Sequence, residues 1–222
     1  MTKAQALKRL KALGDEKVRK LAVREGAIEQ FGAPLGEIRK IAKEIKSNHA
    51  LGLQLWETGN ADARLLAVLL MKPKQLTNEE LDELVRSVCC WQVADWINAY
   101  IVKKHPGNEE LRVAWMDDDN AMAARAGWNL TYERIQKDAD GLDLKGLLDR
   151  IEAEMADADR TSQWTMNFAL AAIGIHHAKH RKRALKIGEK LGVFADYPTA
   201  KGCTSPYAPI WINEMVSRQE AK

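Results

Sequence analysis

Trp91 and Asp95 stand four residues apart in the run Cys89-Cys90-Trp91-Gln92-Val93-Ala94-Asp95-Trp96. On a helix that spacing puts an indole and a carboxylate on one face, one turn apart. An indole face attracts a cation, and a fixed carboxylate stabilises positive charge that develops beside it. On spacing alone a packed tryptophan beside a surface carboxylate explains the pair as well. The run His176-His177-Ala178-Lys179-His180-Arg181-Lys182-Arg183 offers a different chemistry. His176 and His180 have the spacing of metal ligands on a helix, with Cys203 downstream, but no Glu lies between them as a zinc-protease motif requires. The run reads instead as a phosphate-contacting surface. Neither a metal nor a cofactor is expected.

The elements that must position these residues are helices. Apolar spacing with a period near 3.6 and frequent stop signals predict helices over about 2–13, 16–30, 34–47, 49–58, 60–71, 77–87, 90–104, 108–116, 119–136, 142–156, 161–178, 180–191 and 206–219. Thr77 followed by Glu80 has the form of a capping box. No stretch alternates long enough to argue for a sheet, so the chain reads as all-α. Helices of this length, paired every 35 to 40 residues or so, suit an α-solenoid of HEAT type, although no motif recurs at a fixed period. A compact helical bundle is the alternative. Residues 1–222 are expected to form one repeat domain, with 196–222 as a capping extension over the last helices. The segment 161–178 holds no Asp, Glu, Lys or Arg, which predicts a helix buried on every side.

The net charge of +3 conceals an uneven distribution. Residues 1–46 carry 12 Lys and Arg against 6 Asp and Glu, and residues 179–190 carry 6 against 1. Between them, residues 109–160 carry 7 basic and 14 acidic side chains. Two basic regions form a phosphate footprint if the fold brings them to one surface; otherwise they are solvated helix faces. No apolar run is long enough for a membrane helix, and the N-terminus has no apolar core of a secretory signal. Three cysteines, two of them adjacent, suit reduced thiols. A cytoplasmic monomer without membrane contact is expected.

Several segments read together resemble a known family. Leu55-Trp56-Glu57-Thr58-Gly59-Asn60 followed by Ala63-Arg64-Leu65-Leu66-Ala67 is similar to the "LWxSGxxExR" turn of the DNA alkylation repair family, typified by AlkD-type glycosylases. The corner Phe31-Gly32-Ala33-Pro34, running on to Arg39 and Lys40, resembles its "YGV…R" segment. Trp91 to Asp95 resembles its catalytic Trp-x-x-x-Asp helix, and Asp119-Asn120 with Arg125-Ala126 resembles its "DN…RxA" segment.

The resemblance implies a right-handed or C-shaped superhelix that holds double-stranded DNA in a concave basic groove and excises cationic N3- and N7-alkylated purines. Asp95 would stabilise the oxocarbenium-like sugar and Trp91 would face the cation. Arg125, Lys179, Arg181, Lys182, Arg183, Arg39, Lys40 and Lys43 would contact DNA, the protein associating with the nucleoid when bound. The sequence also departs from the family: Ala172 stands where a second catalytic tryptophan is expected, Ile175 where an arginine is, and the family's tyrosine has no match, its position falling near Val23. Trp164 or Trp128 could supply that aromatic surface from elsewhere in the chain. The alternative is therefore a catalytically silent protein that binds duplex or branched DNA. A protein-interaction solenoid is a third reading.

Overall fold

The computed structural model describes residues 1–24 and 26–221; Glu25, inside the second expected helix, and Lys222 lie outside the described residues. Those described form thirteen α-helices, two short 3-10 turns and no strand. The helices are α1 (Lys3–Ala12), α2 (Glu16–Arg24), α3 (Leu35–Ile45), α4 (His49–Trp56), α5 (Ala61–Leu70), α6 (Asn78–Arg86), α7 (Trp91–Tyr100), α8 (Asn108–Trp115), α9 (Ala121–Lys137), α10 (Leu144–Glu154), α11 (Arg160–His176), α12 (Ala178–Leu191) and α13 (Ala208–Glu220). The 3-10 turns are Pro73–Gln75 and Val102–Lys104. The expected all-α class stands. Two helices end earlier than their apolar spacing predicts. α2 spans Glu16–Arg24 and the chain has left the helix by Gly26, at φ 93°, while α7 stops at Tyr100, where the chain tightens into the second 3-10 turn.

Capping chemistry sets most helix starts. Thr77 accepts from the Glu80 N–H at 3.2 Å while Glu80 Oε2 accepts from the Thr77 N–H at 2.9 Å, completing the expected box. Asn48, Asn60, Asn120, Asp143 and Asp159 each accept from a backbone N–H in the first turn of the helix that follows.

The chain forms two compact units, Met1–Leu111 and Arg112–Lys222. In the first, α4 and α5 make a helical hairpin closed by the Asn48 N–H donating to the Leu70 carbonyl at 3.1 Å. Nearly every residue of α5 is buried, including Asp62 and Arg64. Those two side chains reach the segments just before α3 and α7, so α3, α5 and α7 all begin at the same end of the unit.

In the second unit the uncharged stretch expected at 161–178 becomes α11, whose buried residues run from Ser162 to Ile175. It lies parallel to α9. At one end Arg125 Nη1 donates to the Thr161 carbonyl at 3.1 Å and Ser162 Oγ donates to the Ala121 carbonyl at 3.3 Å. At the other the His177 ring meets the Ile135 carbonyl at 3.0 Å. The extension packs α13 on α11. A methyl at Gly174 would stand 2.5 Å from Ile212 Cδ1, so glycine sets the spacing of those helices.

One joint occurs in both units. Asn60 caps α5, and four residues on Arg64 donates to the Ser87 carbonyl ahead of α7 at 2.7 Å. Asn120 caps α9, and five residues on Arg125 donates to the Thr161 carbonyl in α11. In each case a cap fixes the helix start and a buried guanidinium ties it to the start of the parallel helix. That parallel order of successive helix pairs is what a HEAT-type repeat predicts.

Candidate functional site

α7 carries the two residues singled out by spacing. Trp91 opens the helix and is partly buried; Asp95, one turn on, is exposed. The intervening Val93 and Ala94 are buried, as are Trp96, Ile97 and Asn98. The helix therefore anchors one side in the core and presents the Trp91–Asp95 edge to solvent.

What holds α7 is α5. The Arg64 guanidinium donates to the Trp56 carbonyl at 3.2 Å through Nε and to the Ser87 carbonyl at 2.7 Å through Nη1, and lies 3.6 Å from Cys89 Sγ. It stacks over the Trp56 ring, 4.9 Å from its centroid. Trp56 in turn donates its indole N–H to Ser87 Oγ at 3.0 Å. The turn that delivers the chain into Trp91 is thus fixed at Ser87 and Cys89. Two residues earlier on α5, Asp62 Oδ2 accepts the Phe31 N–H at 2.5 Å and the Gly32 N–H at 2.9 Å, pinning the corner before α3. Burial pushes the Asp62 carboxyl above its ordinary pKa, against the opposing pull of those N–H groups and of Arg19.

α3 brings a cation to the same part of the unit. Arg39 is exposed and its guanidinium lies over the Trp96 ring, 4.4 Å from the centroid, beside Asp95 in sequence. Of its basic neighbours, Lys40 pairs with Glu37 at 2.7 Å and Lys43 is exposed.

The second unit sorts its basic run more sharply than spacing could. Lys179 and Lys182 are exposed and, with Lys186, fall on one face of α12 at intervals of three and four. Arg181 turns back, donating to the Gly174 carbonyl at 2.9 Å and the Ile175 carbonyl at 3.2 Å, where it satisfies the open C-terminus of α11. Arg183 pairs with Asp149 and Glu152 on α10. Arg125 is 4% exposed and belongs to the α9–α11 joint. Arg125, Arg181 and Arg183, all expected to contact phosphate, thus each bond within the second unit. Lys186 is the outward cation the sequence reading missed, because a run of basic residues does not say which of them are already paired.

The positions where the family pattern lapses are also placed. Ala172 and Ile175 lie in the hydrophobic core of the second unit. A tryptophan at 172 would have to enter that core, so the position offers no aromatic surface to a ligand. Trp128 is equally enclosed, under the Arg150 guanidinium. Val23 on α2 is 60% exposed.

Residues 6–212 match the profile of the family described as DNA alkylation repair enzyme. The chain belongs to this family. The chain is also similar to "Uncharacterized protein Lin0241" of Listeria innocua and "Uncharacterized protein Lmo0209" of Listeria monocytogenes. Each is 22% identical over 195 residues, which is 86% of this chain and 86% of the relative. Among solved structures, the fold is similar at a TM-score of 0.81 and 21% identity to a protein of "a new family of proteins related to the HEAT-like repeat DNA glycosylases with affinity for branched DNA structures". The match covers 99% of this chain and 95% of that one. This family membership and HEAT-like fold agree with the resemblance carried by the sequence motifs. The structure adds that Asn60, Arg64, Asn120 and Arg125, four residues of those motifs, hold helices together.

Proposed function

We propose that this member of the DNA alkylation repair family binds double-stranded DNA and removes cationic N3- or N7-alkylated purines from it. The observation that carries the reading is the edge of α7, where an exposed carboxylate stands one turn from a partly exposed indole on a helix locked by Arg64.

An alkylated purine already carries positive charge, so its departure needs no protonation. The C1′–N9 bond breaks with its electron pair going to the base, which leaves neutral, while positive charge moves to the deoxyribose. Asp95 stabilises that charge and orients a water whose oxygen bonds to C1′, its proton passing to the carboxylate or solvent. Trp91 offers its ring to the cation, an attraction of about 0.5–2 kcal/mol depending on desolvation. Arg39, Lys43, Lys179, Lys182 and Lys186 supply phosphate contacts that fix the duplex without reading its sequence.

A second reading is favoured by the enclosed position of Ala172 and by the branched-DNA affinity described for the similarly folded protein. In it the DNA-binding surface is kept and excision is lost. Release of 7-methylguanine or 3-methyladenine from alkylated duplex separates the two. Excision predicts release by the native protein, with Asp95→Asn reducing the single-turnover rate at least about 100-fold at unchanged duplex affinity. No release at high enzyme excess would refute excision of these lesions. Affinity that stays flat between low and high salt would refute both readings.

A further inference from the structure

The chain between α12 and α13 is unusually rich in aromatic residues and proline, and its rings gather against α11. Trp164 meets Phe168 at 5.3 Å between centroids, Phe194 at 5.1 Å and Tyr197 at 5.5 Å; Phe168 meets Trp211 of α13 at 5.0 Å. All of these contacts are tilted or edge-on, with interplanar angles from 46° to 81°. None of these four pairs is stacked face to face. Trp164, Phe168, Tyr197 and Trp211 remain only partly buried, in contrast to the enclosed Trp115 and Trp128.

These four rings line a cavity of about 340 Å³ within the second unit. The size falls at the lower end of small-ligand sites, about 300–1,000 Å³. Its remaining wall is the segment 198–206, which contributes the hydroxyls of Thr199, Thr204 and Ser205 and no charged side chain. Asn167, itself 1% exposed, fixes that wall by donating to the Pro206 carbonyl at 2.8 Å. The cavity chemistry excludes a phosphate, which would need cations in the lining. It equally disfavours an aliphatic ligand, which would waste the ring faces and strand the hydroxyls. It suits a flat heterocycle with hydrogen-bonding edges. Lys201, exposed, follows the lining residue Ala200 in the chain without itself lining the cavity.

We propose that this cavity is a stacking site for a single unpaired nucleobase. It is distinct from the Trp91–Asp95 edge and rests on the DNA-binding reading only for where the base comes from. Base–aromatic stacking is sequence-tolerant because every base has a π face. The site therefore holds an extruded or single-stranded base at a branch point without selecting its identity.

The test begins without DNA. Ligand-observed saturation-transfer NMR is run on the full chain with adenosine, thymidine, ribose 5-phosphate and cyclohexanol. Saturation of the adenine and thymine ring protons above the ribose protons is expected, with none on ribose 5-phosphate or cyclohexanol. Ala200→Trp fills the cavity from an exposed position and should abolish the ring signal at an unchanged melting temperature; Trp164→Leu should weaken it. With a three-way junction carrying one unpaired 2-aminopurine, binding should quench its fluorescence, and Ala200→Trp should lower junction affinity about 5- to 150-fold while leaving intact duplex affinity unchanged. Absence of ring saturation in the native chain, equal saturation in Ala200→Trp, or preferential transfer to cyclohexanol overturns the proposal. Ring saturation in a protein that binds no DNA supports it and refutes the DNA-binding reading alone.

Discussion

Arg64→Ala is the sharpest test of how the α7 edge is held. The guanidinium is 8% exposed and donates to two main-chain carbonyls, those of Trp56 and Ser87. A hydrogen bond to a charged group contributes about 1.5–3 kcal/mol, and a buried acceptor left bare adds a desolvation cost. Two features reduce the loss. The Trp56 carbonyl also accepts from the Gly59 N–H at 3.2 Å, and Ser87 is exposed, so water can replace one donor. The expected destabilisation is therefore about 2–4 kcal/mol, a roughly 30- to 900-fold change in the folding equilibrium. That is a large share of the ~5–15 kcal/mol typical of a whole protein. Arg64→Lys keeps the charge but reaches a single carbonyl, and should fall between. Urea unfolding gives the stability, and hydrogen exchange gives the place: protection should drop over residues 88–97 and not over 160–176. If Arg64→Ala unfolds within ~0.5 kcal/mol of the native chain with exchange unaltered at 88–97, the bracing argument is wrong.

Asp62 makes folding pH-dependent in an unusual sense. Its folded pKa lies above the unfolded value of about 3.9, so the folded state binds the proton more tightly and stability falls as pH rises through that window. The Phe31 and Gly32 N–H groups both donate to Oδ2, so Asp62→Asn can keep those two bonds; the native chain should lose stability relative to Asp62→Asn as pH rises from about 4, followed by urea midpoints. Gly174→Ala should destabilise by about 1–3 kcal/mol through overlap with Ile212. Combining it with Ile212→Val, which removes the clashing Cδ1, should cost less than the sum of the single changes in thermal melts. Replacing Lys179, Lys182 and Lys186 together by Gln should lower the slope of log affinity against log salt by up to about 3, read by duplex-binding titrations. An unchanged slope would remove α12 from the interface.

Much of the frame was legible because helix starts are written locally. Thr77 with Glu80 and the Asn or Asp residues ahead of α4, α5, α9, α10 and α11 act within one turn, so spacing alone reveals them. The charge-free run 161–178 likewise announced the burial of most of α11. The joints were not legible, because Arg64 and Arg125 bond to carbonyls 23 and 36 residues away. Their signal was present in another form: an arginine set among apolar residues in the first turns of a helix, each following an asparagine cap. The pairing of Arg183 was hidden for the same reason, since its acidic partners come from α10. For the α7 edge, spacing gave the geometry of Trp91 and Asp95, and the identity of the anchor on α5 required the fold.

The joint at Arg64 separates the part of the chain that cannot change from the part that can. Its bonds end on main-chain carbonyls, which every amino acid possesses, so they are indifferent to the side chains displayed on the far face of α7. Substitution at Trp91 or Asp95 leaves the guanidinium's partners untouched. Divergence can therefore rewrite the chemistry of that edge in single steps without dismantling the scaffold. A lineage built this way can exchange one activity for another, or keep only the grip on its ligand, while its fold stays the same.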